Sequence, residues 1–107
     1  MKQYEIWWAT LPPPVGRRPV LLLSRDSAYE YLNKFLVAEI TTTIRGIAQE
    51  VLLGPREGMK SSCAINCDNL RTVGRDALVK RAGVLGISRH ADLKRAMGHA
   101  LGWVELI

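Results

Sequence analysis

The chain has 107 residues, enough for one hydrophobic core and too few for two, so a single domain over residues 1–107 is expected. A hydrophobic fraction of 48% and a mean hydropathy of +0.01 exclude a disordered chain, and no apolar run reaches the roughly 18–20 residues that a membrane helix needs. The net charge of +5 and sequence pI near 9.6 favour an anionic partner such as nucleic acid.

The first element is "YEIWWAT", residues 4–10, an aromatic and β-branched run that predicts a strand. The N-terminal residues lack the layout of a secretory signal, and the cytoplasm is the expected compartment. Trp7 and Trp8 point to opposite faces of such a strand, so one belongs to the core. "LPPPVGRR", residues 11–18, reads as a loop, because three consecutive prolines neither continue a helix nor donate to a sheet ladder. "PVLLLS", residues 19–24, is apolar on both faces and predicts a strand covered on both sides. "RDSAYEYLN", residues 25–33, reads as a turn or short helix with Asp26 or Ser27 as its cap.

A third strand is predicted over "KFLVAEITTTI", residues 34–44. Its alternation places Phe35, Val37, Glu39, Thr41 and Thr43 on one face and Leu36, Ala38, Ile40, Thr42 and Ile44 on the other. The second set is a core face, while the first turns polar toward its end. Arg45-Gly46 supports a turn into "IAQEVLL", residues 47–53, and "GPREGMKSS", residues 54–62, is a loop of turn formers.

"CAINCDNLRTV", residues 63–73, gives one or two short strands, and "LVKRAGVLG", residues 78–86, gives another. On a strand Cys63 and Cys67 would lie about 13 Å apart, beyond the roughly 7 Å a disulfide tolerates, so both read as small buried hydrophobes. Their spacing and the lack of a second ligand pair do not make a zinc site. The stretch from Ser88 to Leu106 is the one clear helix, capped by Ser88, with Leu93, Met97, Ala100, Leu101 and Val104 at helical spacing. His90 and His99 fall on opposite faces of it and read as surface residues. Short strands, tight turns and one terminal helix predict a mainly β fold, a small antiparallel barrel with a C-terminal helix packed on it.

The order "EIWWATLPP", "GRRPVLLLSR", "LVAEITTTIRG", "EVLL" and "CDNLRTV" resembles the MazF/PemK family of toxin endoribonucleases, from about residue 4 to the terminal helix. The resemblance implies an SH3-like barrel with a helix, shared with CcdB-type toxins, and a homodimer that cleaves single-stranded RNA without a metal or cofactor. It implies a cognate antitoxin as protein partner and no membrane association. Carried over by motif, the catalytic pair is Arg18, just before Pro19-Val20, and Thr41, at the end of the third strand. Asp68 matches an aspartate that some relatives use, whereas Asn66 stands where others carry an arginine. Arg17, Thr43, Arg45, Asn69 and Arg71 are the expected RNA-binding residues.

The implied chemistry suits these residue types. Attack by a ribose 2′-OH leaves a 2′,3′-cyclic phosphate and a 5′-OH, and the enzyme must stabilise charge on the crowded phosphorus. Arginine holds two phosphate oxygens with a planar fork, and Thr41 adds a neutral hydrogen bond. A guanidinium is a poor base at neutral pH, so Asp68, Glu39, which shares the Thr41 face, or solvent takes the proton. The tryptophan outside the core is free to stack on a base or fill a dimer contact. Two alternatives remain: a CcdB-like toxin that acts by binding a protein such as gyrase, and a plain SH3-like binding module.

Overall fold

The computed structural model describes all residues 1–107. Six strands form one antiparallel sheet: β1 (Glu5–Thr10), β2 (Arg17–Leu22), β3 (Lys34–Thr41), β4 (Glu50–Leu53), β5 (Cys63–Gly74) and β6 (Leu78–Val84). Their order across the sheet is β4-β5-β3-β2-β1-β6. Two helices are added, the four-residue α1 (Ala28–Tyr31) and the terminal α2 (His90–Leu101).

The alternation of the strands builds two cores, one on each face. Ile6, Leu21, Ala38, Ile40 and Ile65 belong to the first, which α2 covers with Leu93 and Ala96. Ala9, Val20, Leu22, Phe35, Val37 and Val73 belong to the second, beside Ala28 and Tyr29 at α1. Both faces of β3 are therefore buried, and the face expected to turn polar holds Phe35 and Val37 as deeply as the other holds Ala38 and Ile40. Each fully buried side chain of this size is worth roughly 1.5–3 kcal/mol, which makes β3 the axis of the fold.

The sheet does not close by hydrogen bonds, since β4 and β6 are both edges. It is held round by packing. The 3₁₀ turn Pro55–Glu57 and Gly58 press against β6, and a Cβ at Gly83 would collide with the carbonyl oxygen of Glu57. Arg89 locks the same corner: it donates from Nε to Asp92 (2.7 Å) and from Nη2 to the Leu52 carbonyl (2.9 Å), and pairs with buried Glu57 at 3.6 Å. A guanidinium on the β4 edge discourages edge-to-edge pairing.

The mainly β fold with a terminal helix matches the expectation; several details do not. Arg17 and Arg18 are already in β2, because Thr10 and Ala9 of β1 pair with them. β3 stops at Thr41, and Thr42, Thr43 and Ile44 lie in an exposed connection whose backbone N–H groups, from Arg45 to Ile47, bond the Glu50 carboxylate. Leu36 and Ile44 are exposed, so they are not core residues. "CAINCDNLRTV" is one strand, with an irregularity described below. Ser88 caps nothing; α2 starts at His90 after a 3₁₀ turn and ends before Gly102, which leaves Val104 outside the helix. Both histidines are half-buried, and His90 stacks on Tyr4 with ring centroids 3.4 Å apart. Neither Trp7 nor Trp8 is fully buried.

Candidate active site

Strand register sends two adjacent arginines to opposite faces. Ala9 pairs with Arg18 and Val20 with Glu39, so Arg18, Val20, Glu39 and Thr41 share the face of the second core. Thr10 pairs with Arg17 and Trp8 with Pro19, which places Arg17, Pro19 and Trp8 on the other face.

Glu39 is 6% exposed and is gripped twice. Arg18 Nη1 donates to its Oε1 at 3.0 Å, and Arg71 Nε donates to its Oε2 at 2.8 Å. Burying a lone carboxylate is costly, and two charge-assisted bonds offset that cost here. The other N–H groups of Arg18 donate to no protein atom, which leaves most of the fork for a ligand. The Thr41 hydroxyl accepts from the Thr43 backbone N–H at 3.1 Å, so its own proton is free to donate outward.

Between β3 and β5 the register jumps. Ala38 faces Leu70, but Glu39 already faces Asn66, so Cys67, Asp68 and Asn69 form a bulge. Asn66 is buried, and its side-chain oxygen accepts from the Asp68 backbone N–H at 2.9 Å, which shapes the bulge. Asp68 and Asn69 are exposed on it.

A cleft of about 890 Å³ opens where β2 begins and β3 ends. Arg18 and Thr41 reach it from one face, Trp8 and Arg17 from the other. Lys60 from the loop before β5, and Lys80 and Arg81 from β6, complete a wall with five cations and no carboxylate or imidazole. Of the residues expected from the sequence, the cleft brings together Arg17, Arg18 and Thr41, with Glu39 behind Arg18. Asp68, Asn69, Arg71, Thr43 and Arg45 do not line it. Lys60, Lys80 and Arg81 are not among the residues expected from the sequence, and Trp8 is one of the two tryptophans between which the sequence leaves the base-stacking or dimer role open. The Lys80-Arg81 pair in "LVKRAGV" was the available signal, but only the β1–β6 pairing, Trp8 to Lys80, shows where it goes.

Cys63 lines the cleft wall, and burial together with Glu57 pushes its thiol up. Burial and then Asp68 push Cys67 up to about 12. Both are free thiols, buried and held protonated, so neither is a ready nucleophile.

The fold and the cleft define a small β-sheet protein with a cationic groove suited to a phosphodiester backbone. The chain belongs to the PemK-like, MazF-like toxins of type II toxin–antitoxin systems, whose family model matches residues 2–101. It is 45% identical over 99 residues to the probable endoribonuclease MazF5 of Mycobacterium tuberculosis, covering 91% of this chain and 85% of that one. To endoribonuclease MazF3 of the same species it is 38% identical, with 81% and 86% covered. The solved M. tuberculosis toxin MazF-mt6 superposes with a TM-score of 0.86 at 35% identity, covering 92% of this chain and 96% of that one. A mycobacterial endoribonuclease solved in complex with its cognate antitoxin shares the fold, with a TM-score of 0.85 at 23% identity and 96% of each chain covered. The chain is a toxin endoribonuclease of this type, and the CcdB-like alternative is not favoured.

Proposed function

We propose that this toxin cleaves single-stranded RNA without a metal, by attack of a ribose 2′-OH on the adjacent phosphate, leaving a 2′,3′-cyclic phosphate and a 5′-OH. The observation that carries this reading is Arg18, fixed by Glu39 at the cleft mouth beside Thr41 with most of its donors unused. A fixed guanidinium and a hydroxyl suit the charge that grows on the phosphorane oxygens.

Glu39 is a positioning carboxylate and not the base, because both of its oxygens are committed to guanidinium groups. With neither carboxylate nor imidazole in the cleft wall, solvent takes the 2′-OH proton. Asn69 on the β5 bulge and Arg71 beyond it, with Thr43 and Arg45 beyond β3, contact RNA outside the cleft, and Arg17 holds phosphate within it. Asp68, exposed on the bulge away from the cleft wall, is not the base. Single strands are preferred because their bases can be splayed into a groove.

The whole chain acts as one cytoplasmic domain, and no helix is long and apolar enough to cross a membrane. It works as a homodimer, supported by the exposed apolar residues Leu101, at the end of α2, and Trp103, Val104 and Ile107 after it. A cognate antitoxin neutralises it, as the solved complex of its structural neighbour with an antitoxin suggests by analogy. The test is incubation of purified protein with defined RNA in excess chelator, the product ends being read by mass spectrometry. Cyclic phosphate and 5′-OH ends are expected; intact RNA contradicts the nuclease reading, and cleavage only on adding metal contradicts the mechanism.

A further inference from the structure

We infer that Trp8 and Arg17 form a nucleobase-stacking subsite in the cleft, one that takes an unpaired base of the RNA strand whose phosphate lies at Arg18. The inference rests on the nuclease reading for the identity of the strand.

Four observations carry it. First, Trp8 lines the cleft from the face opposite the Arg18–Glu39 pair, so the indole is presented to whatever enters. Second, the Arg17 guanidinium sits over the indole with Cζ 5.2 Å from the ring centroid, within cation–π range. Arg17 makes no ion pair and no side-chain hydrogen bond, so its position is set by the ring and by solvent. The indole and the guanidinium are two planar groups of the kind on which single-stranded RNA stacks its bases.

Third, Trp8 differs from its neighbour. Trp7 packs against the second core, and its Nε1–H is spent on Glu5 Oε1 at 3.0 Å. The Trp8 indole N–H has no protein acceptor, which leaves its polar edge for a ligand, and an entering base stacks on the Arg17 guanidinium that covers the ring or displaces it. Fourth, the charge around the pair suits a nucleotide. Lys80, paired backbone to backbone with Trp8, and Lys60 line the same cleft and make no salt bridge, so cations flank an aromatic platform. An acidic peptide would use the lysines but not the ring. A strand with alternating phosphates and bases uses both.

Because every base has a π face, the subsite contributes affinity with little choice among the four bases. It anchors the strand beside the reacting phosphate.

The test is binding of a 2′-O-methyl RNA decamer, which has no 2′-OH to attack, against a wholly abasic 2′-O-methyl decamer of the same charge, by fluorescence anisotropy. Wild type is expected to favour the base-bearing decamer about tenfold. Trp8→Phe keeps most of that preference, whereas Trp8→Leu, which fills the space without a π face, reduces it to about twofold or less. Arg17→Ala weakens both decamers and lowers the salt dependence. Wild type that binds the two decamers equally, or Trp8→Leu that keeps the full preference, overturns the inference. So does a poly-glutamate decapeptide that binds in a Trp8-dependent way while the RNA does not. Circular dichroism of each variant confirms that the fold is kept. The nuclease reading is checked separately with unmodified RNA, so its failure leaves intact RNA while the binding comparison still reads the subsite.

Discussion

Arg17 and Arg18 are neighbours in the chain and opposites in the molecule. Arg18 enters the face of the second core and is pinned by a carboxylate that is itself pinned by Arg71. Arg17 leaves on the other face, exposed, with only the Trp8 ring beneath it. The period-2 geometry of a strand makes this division inevitable once both residues lie inside β2. It teaches that two arginines adjacent in sequence can line one cleft from opposite faces under different constraints: one guanidinium is held by a buried carboxylate, the other only by a ring and solvent.

The largest effect that would break this comparison is expected at Arg18. Arg18→Ala should lower kcat at least about a hundredfold, as loss of one preorganised donor does, with the fold intact by circular dichroism. Glu39→Gln comes next. The amide keeps the shape but not the charge that orients Arg18, so kcat should fall about tenfold or more with KM nearly unchanged. If Glu39 were instead the base, the variant would also lose the rise of rate with pH; retention of that rise is the expected result. Under the proposed mechanism Thr41→Ala removes one neutral hydrogen bond to the phosphate, and a loss in kcat of about fivefold to tenfold should follow in steady-state assays.

Much of this site was legible locally and some of it was not. Arg18 and Thr41 sit in contiguous motifs, and the alternation over residues 35–41 correctly paired Glu39 with the Thr41 face. The bulge at Cys67–Asn69 was hidden, because Asp68 and Asn69 read equally well as a turn between two strands. The grip of Arg71 on Glu39 depends on that irregular register, and Lys80 meets Trp8 only through pairing of the first strand with the last. Local patterning carries no information about either. The extent of the third strand failed for a simpler reason: threonines favour strands, but past Thr41 the backbone donors are taken by the Glu50 carboxylate.

The smallest expected effect lies away from the cleft, where β1 meets β6. Burial works to raise the Glu5 carboxyl, but hydrogen bonds from Trp7 and the Lys2 backbone, the N-terminal charge and Arg81 outweigh it and hold the group below its ordinary value of 4.5. A depressed carboxylate contributes stability above its unfolded value and loses it as pH falls through the folded one. Glu5→Gln should therefore lower Tm slightly at about pH 6 and bring the variant level with wild type near pH 3, read by thermal melts.

The most direct measurement is single-turnover cleavage of one RNA by Arg17→Ala and Arg18→Ala in excess chelator, with affinity taken from the concentration dependence. Arg18→Ala is expected to lose rate at near-normal affinity, and Arg17→Ala to lose affinity, and salt dependence with it, at near-normal rate. The reverse assignment, or equal losses of both quantities in the two variants, would contradict the division of labour between the two faces of β2.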